Sequence, residues 1–219
     1  LEPEGTPRGA AVLIHGLTDS PYSLRHIGRH YADRGFVVIG MRMPGHGTVP
    51  AGLTRVRWEE WLAATRLAVR HARSLAGDKV PLHLVGYSNG GALALKYTLD
   101  SIEKRGFARP DQLVLISPMI GITSMARFAG VLGWPAVFPG FAKAAWLDVL
   151  PEYNPVKYNS FPVNGARQSS QLTRALDAQI ARLHTRHLSG LPPTLTFQSA
   201  VDTTVSVSAV FDALYQRLT

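Results

Sequence analysis

Apolar positions along this chain fall into two alternating kinds of pattern. Short, nearly continuous apolar runs occur at Ala11–Ile14, Phe36–Gly40, Leu82–Tyr87, Gln112–Ser117 and Thr194–Gln198. Runs of strand length with little polar alternation suit a parallel sheet covered on both faces. Between them, Tyr22–Asp33 and Trp58–Leu75 are long enough for crossover helices. Further on, Leu172, Ala175, Leu176, Gln179, Ile180 and Leu183 recur at helical spacing, as do Val207, Val210, Phe211, Leu214 and Leu218. Strand alternating with helix predicts an α/β fold: a mostly parallel sheet, right-handed crossovers and helices on both faces.

The rhythm breaks from Gly121 to about Arg167, where Pro, Gly and aromatic residues crowd together. No regular strand is predicted there, and the stretch is too apolar for a linker. The expected organisation is a core of residues 1–120 and 191–219, interrupted by a cap over residues 121–190.

Composition narrows the chemistry. At 219 residues, 46% hydrophobic and 17% charged, the chain reads as one soluble globular domain. No stretch approaches the roughly 20 apolar residues that cross a bilayer. The opening "LEPEGTPRGA" lacks the profile of a signal peptide, and a cytoplasmic location is expected, with a periplasmic or membrane-anchored parent also compatible. The absence of cysteine excludes disulfides, thiol nucleophiles and cysteine-based zinc sites. The net charge of +8 comes from scattered arginines with no dense basic run, which reads as solvated helix faces and predicts no nucleic-acid partner. No metal or cofactor is expected, since no His-Glu-x-x-His occurs and His184 with His187 is too sparse.

Gly86-Tyr87-Ser88-Asn89-Gly90 matches G-x-S-x-G between a strand-like run and small, helix-forming residues. In that context the serine occupies a strained strand-to-helix turn, and the flanking glycines remove Cβ atoms that would collide. Ser88 is therefore the candidate nucleophile, set at the positive end of a helix dipole. An acyl-transfer site also needs preorganised N–H donors for the oxyanion. The Asn89 amide follows the nucleophile, and the Leu17 amide follows the strand ending in His15-Gly16, where Gly16 permits close approach. Asp202, in "LTFQSAVDTTVS", is the candidate orienting acid; an N-cap is the simpler role for it.

These residues resemble the α/β-hydrolase superfamily, in particular its carboxylesterase, monoglyceride-lipase and serine-aminopeptidase-like branch. "VLIHGLTDSPYSLRHIGRHYADRGFVVIGMRMPGHGTVP" is similar to the segment from the oxyanion strand to the Gly-His-Gly turn, "GYSNGGALAL" to the nucleophile elbow, and "QSAVDTTVS" to the acid loop. The resemblance implies Ser88 as nucleophile, Asp202 as acid, and Leu17 and Asn89 as oxyanion donors. It also implies a catalytic histidine after a last strand beyond the acid. The chain ends at Thr219, and ten residues precede Ala11, so the expectation is a chain cut at both ends and nearly inert by itself.

Of the histidines present, His26, His30 and His71 fall within helices, while His83, His184 and His187 lie towards the amino ends of strands. His15 and His46 end strands on the catalytic edge, and loop-ordering hydrogen bonds are their expected role. Trp134, Phe138, Phe141 and Trp146 suggest a pocket for an apolar acyl group of a small-molecule ester, or else the cap's own core; contact with a membrane surface is a further option. Two other readings stay open. A peptidase would grip a substrate amine through Asp148 and Glu152, and a non-catalytic module would bind ligand without the base.

Overall fold

The computed structural model describes residues 1–120, 145–183, 190–199, 210–212 and 214–217. Five strands, β1 (Gly9–Ile14), β2 (Phe36–Met41), β3 (Leu82–Tyr87), β4 (Gln112–Ile116) and a last strand at Thr194–Phe197, form one sheet. Every pairing in it is parallel. The order is β2-β1-β3-β4 followed by Thr194–Phe197. All five lie where apolar runs predict them, to within two residues.

Alternation along each strand splits the core into two layers. Ala10, Val12 and Ile14 of β1 face one side with Leu82, Leu84, Leu113 and Leu115. Ala11, Leu13 and Val85 face the other, with Val114 and Ile116 packed against them. On the first side lie α2 (Trp58–Ala76), α3 (Asn89–Glu103) and α4 (Val163–Leu183), whose buried side chains join that cluster. The second side receives Leu24, Ile27 and Tyr31 from a 3-10 turn at Pro21–Leu24 and from α1 (Arg25–Ala32). Leu172, Leu176 and Ile180 of α4 are fully buried. Each such side chain contributes about 1.5–3 kcal/mol by leaving water.

Four expectations need correction. The stretch without predicted strands holds a two-stranded antiparallel ribbon, β5 (Trp146–Asp148) with β6 (Phe161–Pro162). Three residues against two, with a proline in one strand, leave no hydrophobic period to detect. The helix expected from about residue 170 starts at Val163. The helix expected over Tyr22–Asp33 divides into the 3-10 turn and α1. Nor are the arginines all solvated: Arg66 pairs with buried Asp100, and Arg73 donates to the Val80 carbonyl and pairs with Asp111. Of the C-terminal helical pattern, residues 210–212 are helical and Tyr215–Arg217 forms a 3-10 turn, with the Tyr215 hydroxyl bonded to Thr196 of the last strand, β7 (Thr194–Phe197).

Candidate active site

Register brings the carboxyl ends of three neighbouring strands level. Ile14 of β1 pairs with Gly86 of β3, and Tyr87 of β3 pairs with Ile116 of β4. Ser88 follows directly, between β3 and α3, with φ 54° and ψ −118°. An L-residue avoids such a backbone unless its surroundings enforce it, at a cost of order 1–3 kcal/mol. Here the enforcement is visible. The Ser88 N–H donates to the Ile116 carbonyl at 2.9 Å, and the Ser88 carbonyl accepts from Gly91 and Met119 at 2.9 and 3.0 Å.

Close packing explains the glycines. A Cβ on Gly86 would stand 2.4 Å from the Gly90 carbonyl oxygen, and one on Gly90 would stand 2.1 Å from that of Ile14. Both distances are far inside van der Waals contact, so the helix can start this near β1 and β3 only without those atoms. Gly16 meets the elbow from the other side: a Cβ there would lie 3.4 Å from Ser88 Cβ and 3.3 Å from the Tyr87 ring.

Asn89 directly follows Ser88, and Leu17 directly follows Gly16, which packs against Ser88 and Tyr87. Asn89 opens α3, so its N–H has no acceptor within its own helix. Among the described residues, no backbone carbonyl accepts from the Leu17 N–H. The loop carrying Leu17 is stiffened by Asp19, a buried carboxylate that accepts from the Ser20 N–H at 2.9 Å and from the Ser23 hydroxyl. Tyr158 reaches it from the region before β6, donating its N–H to the Thr18 carbonyl at 2.7 Å.

His15 and His46 lie beneath this loop, both buried, with ring centroids 4.8 Å apart. His15 Nε2 accepts from the Met43 N–H at 3.1 Å, so its proton sits on Nδ1 and donates to the Gly16 carbonyl at 2.8 Å. Burial, then repulsion from His46, lowers its pKa to about 4. His46 Nε2 lies 2.6 Å from the Leu17 carbonyl and Nδ1 lies 3.0 Å from that of Pro44. Burial lowers its pKa as well, against the opposing pull of those carbonyls. The Tyr158 ring stacks on His46 at 6.1 Å, and its hydroxyl accepts from the Thr48 N–H at 3.1 Å. Both imidazoles are thus engaged with loop backbone.

Asp202, Trp134, Phe138 and Phe141 lie outside the described residues, as do His184 and His187. Trp146 is half-buried in β5. Asp148, beside it, is exposed, and both carboxylate oxygens of Glu152 accept backbone N–H bonds, from Asn159 at 2.9 Å and Ser160 at 2.7 Å. Sequence reasoning did not single out Asp19, Tyr158 or Ser169, a buried residue of α4 whose hydroxyl bonds Asn89 Oδ1 at 2.8 Å. Asp19 had a signal, an acidic residue just before Ser20-Pro21 at a helical start. Tyr158 and Ser169 had none, because their partners are distant in sequence.

A family model described as serine aminopeptidase, S33, matches residues 5–218. The chain belongs to that family. A thermostable monoacylglycerol lipase of Bacillus sp. (strain H-257) is 25% identical over 181 residues, which span 82% of this chain and 67% of the relative. A carboxylesterase of Bacillus subtilis (strain 168) is 28% identical over 87 residues, or 40% of this chain and 35% of the relative. Among solved structures, a metagenome-derived lipolytic enzyme superposes with TM-score 0.74 at 22% identity, covering 96% of this chain and 79% of that one. A soluble variant of monoglyceride lipase from Saccharomyces cerevisiae gives 0.71 at 14% identity, covering 96% and 74%. The chain is therefore a lipase- and esterase-like α/β-hydrolase. No helix among the described residues is long and apolar enough to cross a membrane.

Proposed function

We propose that this protein cleaves carboxylic esters through an acyl-enzyme on Ser88. The carrying observation is the backbone at Ser88, held at positive φ on the carboxyl edge of the sheet, next to the loop that presents Leu17. Ser88 Oγ attacks the ester carbonyl carbon, and the carbonyl oxygen takes the electron pair, facing the N–H groups of Asn89 and Leu17. Collapse of the tetrahedral intermediate expels the alcohol, which takes up a proton, and leaves the acyl group on Oγ. Water then repeats the addition and releases the acid. Each oxyanion donor is worth roughly 2.7–4 kcal/mol in such a step.

The serine needs a base, and neither His15 nor His46 supplies it. Their ring nitrogens already serve the loop backbone, and the depressed pKa of His15 makes it a poor proton acceptor. Asp202 is the acid that would orient the base. The relatives named monoacylglycerol lipase and carboxylesterase support an ester substrate, and the aromatic residues of the expected cap suggest an apolar acyl group for it. Trp134, Phe138, Phe141 and Trp146 would line its pocket, within a cap assigned to residues 121–190. An amine-gripping peptidase site is less well supported, because Glu152 spends both carboxylate oxygens on its own loop.

A fluorophosphonate probe tests the reading, since it modifies only an activated serine. In the protein complete with its base, labelling at Ser88, absent in Ser88→Ala, is expected, together with loss of p-nitrophenyl ester turnover on the order of 10⁶. Labelling that survives Ser88→Ala moves the nucleophile elsewhere. A wild-type protein that is never labelled favours the non-catalytic ligand-binding module.

A further inference from the structure

The side chain of Asn89 has a partner that an oxyanion amide alone does not require. Its Oδ1 accepts a hydrogen bond from Ser169 Oγ at 2.8 Å, and both residues are buried. Burying an amide side chain is unfavourable unless its polar atoms are paired, so the pair stands or falls together. Ser169 Oγ also lies against Met119 Sδ at 2.8 Å. One turn later in α4, Thr173 Oγ1 lies 3.3 Å from the Met119 carbonyl. Met119 in turn donates its N–H to the Ser88 carbonyl.

Other hydroxyls in these helices behave differently. Thr65 and Thr98 each donate to the carbonyl four residues back in their own helix, and Thr173 divides between that carbonyl and the carbonyl of Met119. The bond four residues back is the usual arrangement for a hydroxyl within a helix. Ser169 instead turns its hydroxyl out of its own helix, towards Asn89 Oδ1 and Met119 Sδ. It stands among α4 residues that likewise reach outward: Asn164 Nδ2 donates to the Leu53 and Val56 carbonyls, and Gln168 Oε1 accepts from the Trp58 N–H.

We infer that Ser169 is a positioning residue for the hydrolytic site: by holding Asn89 Oδ1 it fixes the first turn of α3 and so aims the Asn89 N–H at the oxyanion. The inference rests on the reading of Ser88 as nucleophile. It places the control of an oxyanion donor on α4, the helix that directly follows the β5–β6 ribbon. Its reach is through Asn89, and Ser169 itself touches no reacting atom. Misplacement of a catalytic group by about 1 Å costs up to 10²-fold in rate, so a freed first turn should cost part of that range.

The test compares wild type, Ser169→Ala, Asn89→Ala and the double variant, in the full chain, on p-nitrophenyl butyrate. Ser169→Ala is expected to lower kcat about tenfold with KM unchanged, and to add nothing in the Asn89→Ala background. Equal losses in both backgrounds, or a change in KM alone, would overturn the inference. Amide hydrogen exchange of residues 88–92 gives a readout independent of turnover. It should quicken in Ser169→Ala while β1 and α2 stay unchanged; protection left intact also overturns the inference. Failure of the Ser88 reading shows separately, as turnover that survives Ser88→Ala.

Discussion

Around its first turn, α3 meets the molecule through bare backbone and neutral hydrogen bonds, whereas the polar contacts of its later turns centre on buried ion pairs. Gly90 approaches the Ile14 and His15 carbonyls with no room for a side chain, and Asn89 takes the Ser169 hydroxyl. Further along, buried Asp100 accepts from Lys96 one turn before it, from Arg66 of α2 at 2.7 Å and from Gln179 of α4 at 3.1 Å. Glu103 closes the set by taking Arg182 of α4 at 2.7 Å. The first end fixes where Ser88 stands; the second fixes which neighbours α3 packs between. A buried ion network adds little net stability over apolar packing, yet any register that separates its members leaves a charge unpaired.

Removing the shared carboxylate should therefore give the largest stability effect. Asp100→Ala leaves Lys96 buried and Arg66 unpaired, with an expected loss of about 3–5 kcal/mol in urea unfolding. Fluorophosphonate labelling per folded molecule should stay unchanged. If labelling falls in proportion, the two ends of α3 are not separable, and the division of labour drawn between them is wrong.

Acid should separate the ends by the order in which they fail. The pKa of His15 in the folded protein, about 4, lies below its ordinary value of 6.5, because burial disfavours the charged ring. Between those values the unfolded chain binds more protons, so stability is full above pH 6.5 and declines as pH falls towards 4. The shift corresponds to about 3 kcal/mol at most. Buried His46 and half-buried His83 are shifted the same way and add to the slope. For Asp100, burial alone would raise the carboxyl, but the Lys96 and Arg66 hydrogen bonds outweigh it and hold it below 3.8. Its contribution is present above pH 3.8 and is lost only below. Melting temperature against pH should thus fall first through the histidine window, and His15→Asn should reduce that slope while leaving the share of His46 and His83. A curve that stays level from pH 6.5 to 4 would contradict the neutral, locked histidines described here.

The same contrast explains what the sequence discloses. Strands β1, β3 and β4 are legible because both their faces are buried, so nearly every residue is apolar. The elbow is legible because its glycines answer a local steric demand, recorded within a few residues of Ser88. The start of α4 is not: Asn164, Gln168 and Ser169 are polar yet serve as buried hydrogen-bond partners, so the apolar period emerges only at Leu172. Arg66 misleads in the same way: read as part of a solvated face, it pairs with buried Asp100. Long-range polar pairing leaves no period in one sequence. The Asp202 loop and most of the expected acyl pocket fall outside the described residues, so those assignments rest on the pattern of the chain.

The smallest expected effect bears on the feature the functional reading depends on most. Ser88 is held at φ 54°, while Ser101, near the other end of α3, lies in ordinary helix. Replacing each by Gly and by Ala separates backbone strain from the loss of the hydroxyl, because both variants lack the oxygen and only Ala keeps Cβ. Within a helix, Gly is less stable than Ala by roughly 0.5–1 kcal/mol, and Ser101 should obey that sign. At residue 88 the relief of strain, about 1–3 kcal/mol, outweighs Gly's entropy, so Ser88→Gly should exceed Ser88→Ala by about 1 kcal/mol. In a domain of this size that is a calorimetric difference of about 2–4 °C. Only a reversal of sign between the two positions fits a serine forced into its turn by the packing of Gly86 and Gly90; the same sign at both would mean that the elbow carries no strain for catalysis to use.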